Sequence, residues 1–345
     1  MLEFLSQITD RLRRYINVKV FIAGIGSDLG TQIAKNLESN EAVEEIAGID
    51  MFPPRRYLAR TKFFMSHFDD SERIADVINQ FSPDVIINFG VYEPGARLNL
   101  SKARSATSAV LSGIIHAVNK IKQKHEVHVI TRSSVAVYGF ADPQKTYDET
   151  SPTCPDTPYG EMCRHVEEEL TKNCARLSIV RTAPEIGAHV PHPLARLLNH
   201  PLIPVQFRMP FSPDPGFPAI STRDVVQVFL KVAEIKFENT NLHRTFHAAC
   251  PANISMLTAA KAGKKMPLFF YGPGFSLAKK LSYLSGAPID EHIEMFIRRG
   301  MKIDSTSTRM ALKISSQDSP SEILSQLFDG ENKEVDSTFA PEVFK

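Results

Sequence analysis

Short apolar runs rich in Val and Ile alternate with longer amphipathic stretches from residue 18 onward. Runs at 18–23, 45–49, 62–65, 84–88, 127–131 and 177–180 have strand length and β-branched content. Between them, positions 29–40, 71–80, 101–124 and 160–175 carry apolar residues at helical spacing. Strands alternating with helices predict βαβ units, hence an α/β fold: a doubly wound parallel sheet with helices on both faces. The pattern changes after Thr182. Residues 184–218 hold Pro184, Pro191, Pro193, Pro201, Pro204, Pro210, Pro213, Pro215 and Pro218. Prolines at that density exclude long helices and central strands, so this stretch predicts loop-built structure able to wrap a substrate. A helix returns at 222–236, with Ser221 or Thr222 as N-cap and Asp224 in the first turn. The expected organisation is an N-terminal amphipathic helix (1–17), an α/β domain (18–182), a smaller lobe (183–328) and a mobile polar tail (329–345). The helix at 222–236 is expected to fold back onto the first domain.

Composition narrows the class. The chain has 345 residues, 43% of them hydrophobic, and a net charge of +1. That is ample for one large α/β domain with a second lobe. Near-neutral charge without a basic face argues against nucleic acid. Cys154, Cys163, Cys174 and Cys250 show no C-x-x-C spacing, which speaks against zinc or a disulfide framework and for a reducing cytoplasm. His189, His192 and His200 are spaced three and eight apart, which matches no helical metal-ligand pair. No apolar run approaches the ~18–20 residues of a membrane span. Residues 1–16 place Leu5, Ile8, Leu12, Tyr15 and Ile16 at helical spacing with Arg11, Arg13 and Arg14 between them. They read as a helix covering a domain edge or subunit contact, or as a basic amphipathic helix resting on a membrane surface.

The first strand runs into Gly24-Ile25-Gly26-Ser27-Asp28-Leu29-Gly30 and then a helix. A glycine-rich turn at that place lets backbone N–H groups face a pyrophosphate at the positive end of the helix dipole. The alternative is a tight turn in a nucleotide-free protein. About twenty residues on, the second strand ends at Asp50, placed to accept hydrogen bonds from adenosine ribose hydroxyls. That favours NAD, while Arg55 and Arg56 leave NADP open. At the centre, 127–131 leads into Ser133-Ser134-Val135-Ala136-Val137-Tyr138-Gly139. Ser134 can bond a substrate oxygen or simply cap the strand end. Tyr159 follows Pro158 and opens a helix, and its phenol is a candidate general acid/base. A phenol titrates near ~10 and needs a neighbouring cation to work at neutral pH. The i+4 position holds Cys163, a neutral thiol that supplies none. Arg164 points about 100° away around the helix.

These motifs resemble the extended short-chain dehydrogenase/reductase family of the NAD-dependent epimerase/dehydratase type, over residues 18–328. The resemblance includes Val180-Arg181-Thr182-Ala183-Pro184 to Gly187 and Ile303-Asp304-Ser305-Thr306-Ser307. It implies a Rossmann domain holding NAD(P), a substrate lobe and, frequently, a homodimer. It places Ser134 on the catalytic serine, Tyr159 on the catalytic tyrosine, Cys163 on the lysine position, and Gly24, Gly30 and Asp50 on cofactor positions. Gly26, Ser27, Asp28 and Leu29 complete the loop, and His67, Phe68, Phe89 and Gly90 are further cofactor-lining candidates. Departures are Ser27 for the middle glycine, where its hydroxyl could donate to phosphate, His67 where an Asp often contacts adenine, Asn88-Phe89-Gly90 for a small-residue strand end, and Cys163. The expectation is an NAD(P)-dependent oxidoreductase, epimerase or dehydratase with a modified proton relay. The alternative is a catalytically silent nucleotide-binding or scaffold protein. Arg181, Arg196, Arg208 and Arg223 are available for a sugar-nucleotide diphosphate. Phe207, Phe211, Phe217, Phe269, Phe270, Tyr271 and Phe275 tilt instead toward a hydrophobic alcohol or ketone, or toward core packing.

Overall fold

The computed structural model describes residues 18–329 apart from 68, 96–97, 124, 189, 191, 208–214, 236–241 and 272–288. The expectations for the N-terminal helix, the tail beyond 329, Phe68, His189, Arg208, Phe211 and Phe275 lie outside the described residues.

Strands β1 (Val18–Ala23), β2 (Val43–Asp50), β3 (Thr61–Met65), β4 (Val85–Asn88) and β5 (His128–Ser134) form the first part of a parallel sheet. After the two-residue β6 (Thr146–Tyr147) comes β7 (Arg176–Thr182), which joins the sheet beside β5. Helices α1 (Asp28–Glu38), α2 (Ser71–Phe81), α3 (Leu100–Ile121) and α4 (Pro158–Asn173) connect these strands. The expected strands and helices are all present, with ends displaced by no more than three residues. The largest extension is at β5, which runs on to Ser134 because Arg132, Ser133 and Ser134 stay paired with β7.

The second part of the chain is less irregular than its prolines suggest. β8 (Glu185–Ile186) pairs with β10 (Ile220–Ser221), and β9 (Leu202–Phe207) with β12 (Met266–Tyr271). α5 (Pro193–Asn199) starts on a proline, which the first turn of a helix accepts because its N–H would have no partner there. Pro204 is tolerated because its strand belongs to a two-stranded ribbon rather than to the central sheet. α6 (Thr222–Ala233) is capped by Ser221, whose hydroxyl accepts from Asp224 N at 3.2 Å. It ends at Ala233, three residues short of the expected 236. β11 (Leu242–Ala248) then adds the last strand of the main sheet, next to β7. α7 (Met256–Ala262), α8 (Glu291–Arg298), β13 (Lys302–Ile303), α9 (Thr306–Leu312) and α10 (Pro320–Asp329) complete the order.

The seven-stranded order is β11-β7-β5-β4-β1-β2-β3. That is the Rossmann order with one strand added, and it puts every strand's C-terminal end along one edge, where such sheets bind ligands. β4 is buried along its whole length, as a central parallel strand must be. α2, α3 and α4 contact one another in sequence, while α1 and α6 meet each other, with α6 also against β5 and β7. Phe89, at the end of β4, stacks edge-on against Phe229 of α6 at 4.8 Å.

The back of β5 is held by a buried polar chain. Ser133 Oγ donates to Glu167 Oε1 at 2.5 Å, and Arg181 donates to both Glu167 oxygens at 2.9 and 2.6 Å. Arg181 also donates to the Tyr138 hydroxyl at 2.7 Å, which lies 2.6 Å from His247 Nε2. Arg181 is therefore committed to the scaffold and is not the diphosphate ligand the sequence offered. Arg223 is engaged too, with Asp318 and, at 3.5 Å, Asp224. Phe217 belongs to the core, whereas Phe269 is exposed.

Candidate active site

β5 alternates its side chains, so Arg132 and Ser134 share the face opposite to Ser133. Thr157 caps α4, and Pro158 fixes its first turn. Tyr159 therefore leaves the helix at its N-terminus, toward the end of β5. Ser134 and Tyr159 line one narrow crevice, with a free volume of about 10 Å³, together with Glu93, Arg132, Thr182, His192 and His292. The serine and tyrosine paired from sequence are thus brought together. Cys163, one turn further into α4, is fully buried behind them.

Glu93, His192, His292 and Arg132 are the residues that sequence reading missed. His292 Nε2 lies 2.9 Å from Glu93 Oε1, and His192 Nε2 lies 3.2 Å from the same oxygen. His192 Nδ1 accepts from Leu194 N at 3.2 Å, so its Nε2 carries the proton donated to Glu93. Burial alone would raise the Glu93 carboxyl, but the two imidazoles more than offset it and hold it well below the usual range. Glu93 comes from the segment after β4, His192 from the start of α5 and His292 from α8. The carboxylate therefore clasps the segment after β4 to two helices from the later part of the chain. The His292 ring lies against the Tyr159 ring, centroids 4.5 Å apart.

The Tyr159 phenol is pushed well above its ordinary value, first by burial and then by the neighbouring Cys163 and Glu93. The Arg132 charge pulls in the opposite direction. A cation therefore does act on the phenol, from the neighbouring strand rather than from the helix. Burial also pushes the Cys163 thiol up, to about 12, with Glu167 adding to the effect. It stays neutral, so it is neither a nucleophile nor a charge partner at neutral pH. Ser134 accepts from Ala136 N at 3.2 Å, capping the turn Val135–Tyr138. Its O–H remains available to donate into the crevice.

The glycine-rich turn sits at the end of β1. Gly24 has φ +87°, and a Cβ there would lie 3.0 Å from the Phe89 Cβ. A Cβ on Gly26 would collide with the Phe52 carbonyl oxygen and lie 3.0 Å from the Asp50 carboxylate. Ser27 caps α1: its hydroxyl donates to Gly24 O at 2.7 Å and accepts from Gly30 N at 3.0 Å. Its proton is used inside the turn, not offered to a phosphate as the sequence suggested. The N–H groups of Asp28 and Leu29 take no partner among the described residues, which leaves two donors at the helix N-terminus for an anion. The Asp28 carboxylate turns along the helix to accept from Gln32 at 2.6 Å. Asp50 accepts from Gly26 N at 2.9 Å and Met51 N at 2.7 Å, and burial raises its carboxyl despite these donors. Carboxylate oxygens have lone pairs beyond these bonds, so ribose hydroxyls can still be accepted. The turn therefore fits the ADP-ribose half of a dinucleotide. Asn88 anchors the end of β4, donating to Thr131 Oγ1 at 3.2 Å and accepting from Gly90 N at 2.9 Å. Gly90 is needed where α3 approaches, since a Cβ would meet Val110 at 2.5 Å. His67 is exposed beyond β3.

A family model described as RmlD substrate binding domain matches residues 18–266. No curated protein matches the chain. Among solved structures, the enzyme WbmH of Bordetella bronchiseptica in complex with NAD+ superposes with a TM-score of 0.67 at 16% identity, covering 90% of this chain and 96% of its own. The UDP-glucose-4-epimerase of Stenotrophomonas maltophila, with bound NAD and formylated UDP-arabinopyranose, gives 0.67 at 15%, over 91% and 98%. The UDP-glucuronic acid 4-epimerase of Bacillus cereus, in complex with UDP-glucuronic acid and NAD, gives 0.63 at 16%, over 90% and 98%. At these identities the likeness is one of fold.

Proposed function

The chain belongs to the RmlD substrate binding domain family, and from that premise we propose that it is an NAD-dependent oxidoreductase acting at C4 of a sugar nucleotide. The observation that carries this reading is the meeting of Ser134 and Tyr159 in one crevice at the C-terminal edge of the sheet. The glycine-rich turn of β1, with its two unused N–H donors, opens on the same edge. NAD when bound supplies the hydride acceptor. Ser134 donates its O–H to the substrate oxygen. Tyr159, kept protonated by burial, gives a proton to that oxygen as a carbonyl is reduced. In the oxidative direction it must accept one, and the Arg132 charge is what favours the phenolate. Asp28 N, Leu29 N and Asp50 hold the dinucleotide. The structural relatives crystallised with NAD support the cofactor, and those with UDP sugars support the substrate class.

A second reading has its own support. The crevice has a free volume of only about 10 Å³, roughly that of one water and far below the ~300–1,000 Å³ of ordinary ligand sites, and the Glu93 clasp closes it. A protein with a neutral thiol at position 163 could bind NAD without turnover. Tyr159→Phe separates the two. NAD should raise the melting temperature of wild type and variant alike, because it binds only the folded chain. Wild type mixed with NAD and UDP-glucose or UDP-glucuronate should form transient NADH absorbance at 340 nm, and the variant none. NAD-dependent stabilisation without any NADH in wild type favours the silent reading.

A further inference from the structure

One donor in the crevice has no acceptor. Arg132 Nε is sealed from solvent without a hydrogen-bond partner among the described residues. Its nearest acid is Glu93, whose Oε2 lies 3.9 Å from the Arg132 terminal nitrogen, beyond hydrogen-bonding distance. Glu93 is not free to come closer. Its other oxygen receives both imidazole N–H groups, at 2.9 and 3.2 Å, and these tie it to α5 and α8. The remaining acid nearby, Glu185, is raised by burial and accepts from Thr222 Oγ1 at 2.6 Å. The crevice is therefore bordered by a buried guanidinium whose Nε–H has no acceptor among the described residues, next to a carboxylate already compensated by two imidazoles. Buried guanidinium donors of this kind are matched by planar, two-oxygen anions, which they bind through parallel N–H···O bonds.

We propose that Arg132 binds a carboxylate carried on the reacting sugar ring, so that the substrate is a nucleotide-linked uronate rather than a neutral hexose. The inference rests on the reading given under Proposed function and narrows its substrate. The position of Arg132 selects which anionic group it meets. Arg132 and Ser134 are two residues apart on one face of β5, so the guanidinium lies beside the groups that handle the reacting oxygen. With that oxygen on C4, the diphosphate on C1 is at the far side of the ring. A carboxyl on C5 is adjacent to the reacting carbon. Of the two anionic groups in such a molecule, only the carboxylate can reach Arg132 while C4 faces Ser134 and Tyr159.

The test is calorimetric titration of the NAD-loaded full chain with UDP-glucuronate and, separately, UDP-glucose. Wild type is expected to bind UDP-glucuronate at least tenfold more tightly. Arg132→Met should bring the ratio of the two affinities close to one, and Arg132→Lys, which keeps the charge but not the planar fork, should leave an intermediate ratio. A melting curve and an NAD-induced shift like those of wild type establish that each variant is folded. Should Arg132→Met fail to fold, the wild-type ratio and the Arg132→Lys ratio still decide. Equal wild-type affinities, or a preference for UDP-glucuronate that survives Arg132→Met, overturn the inference and leave the sugar-nucleotide reading standing. Binding of neither sugar nucleotide overturns both.

Discussion

Removing the Glu93 side chain should destabilise the protein more than most single substitutions, because two imidazole N–H groups lose their acceptor and the buried Arg132 guanidinium loses its nearest counter-charge. Breaking a buried charge cluster by deleting one partner costs about 3–5 kcal/mol. With ~2.1 cal/mol/K of unfolding entropy per residue, a chain of 345 residues shifts its Tm by about 1.4 °C per kcal/mol. Glu93→Ala is therefore expected to lower Tm by about 4–7 °C. Glu93→Gln keeps an oxygen for the imidazoles and loses only the charge. Hydrogen bonds to neutral acceptors are each about 1 kcal/mol weaker than to charged ones, so a loss of about 1–3 kcal/mol, or about 1–4 °C, is expected. The pH dependence follows from the depressed Glu93 carboxyl. A group whose folded pKa lies below its unfolded value contributes stability that is complete above about 4.3 and is lost as pH falls toward the folded value. Scanning calorimetry of wild type and Glu93→Gln should show a constant gap in Tm down to about pH 5 that narrows toward about pH 3. A fall of less than 2 °C in Glu93→Ala, or a gap that does not narrow in acid, refutes the clasp as described.

Cys163→Lys sets an ammonium one turn from the phenol. It should raise NADH formation with UDP sugars at least tenfold while lowering Tm by about 1–4 °C, since the site is fully buried and overpacking costs ~1–3 kcal/mol; unchanged turnover would mean that Arg132 already meets the need for a cation. Gly26→Ala drives a methyl group into the Phe52 carbonyl and the Asp50 carboxylate. It should abolish the NAD-induced rise in Tm, and a full-sized shift in the variant would move the cofactor away from this turn.

The sheet was legible because its strands are continuous runs such as Val85-Ile86-Ile87, which few arrangements but a two-sided parallel core can bury. Serine and tyrosine were legible because each sits in a local motif at an element's end. The proline-rich stretch misled: a proline says where a backbone N–H is missing, not whether a ribbon edge or helix start can dispense with it. The Glu93–His192–His292 clasp was invisible for a different reason. Its members lie about a hundred residues apart, and nothing local distinguishes a histidine that caps α5 from one that also meets a carboxylate. Arg132 did leave a trace, as a charged residue two positions before Ser134 on a strand whose neighbours are apolar or small. Strand alternation puts it on the face of Ser134, and that parity was the available signal.

The alternation of β5 has a wider consequence. Ser133 grips Glu167 and Arg181 behind the sheet, while Arg132 and Ser134 look outward from the same few ångströms of backbone. Rigidity and reactivity are thereby assigned to odd and even positions of one strand. Substitutions on the outward side can redirect what the crevice accepts without loosening the frame that aims it.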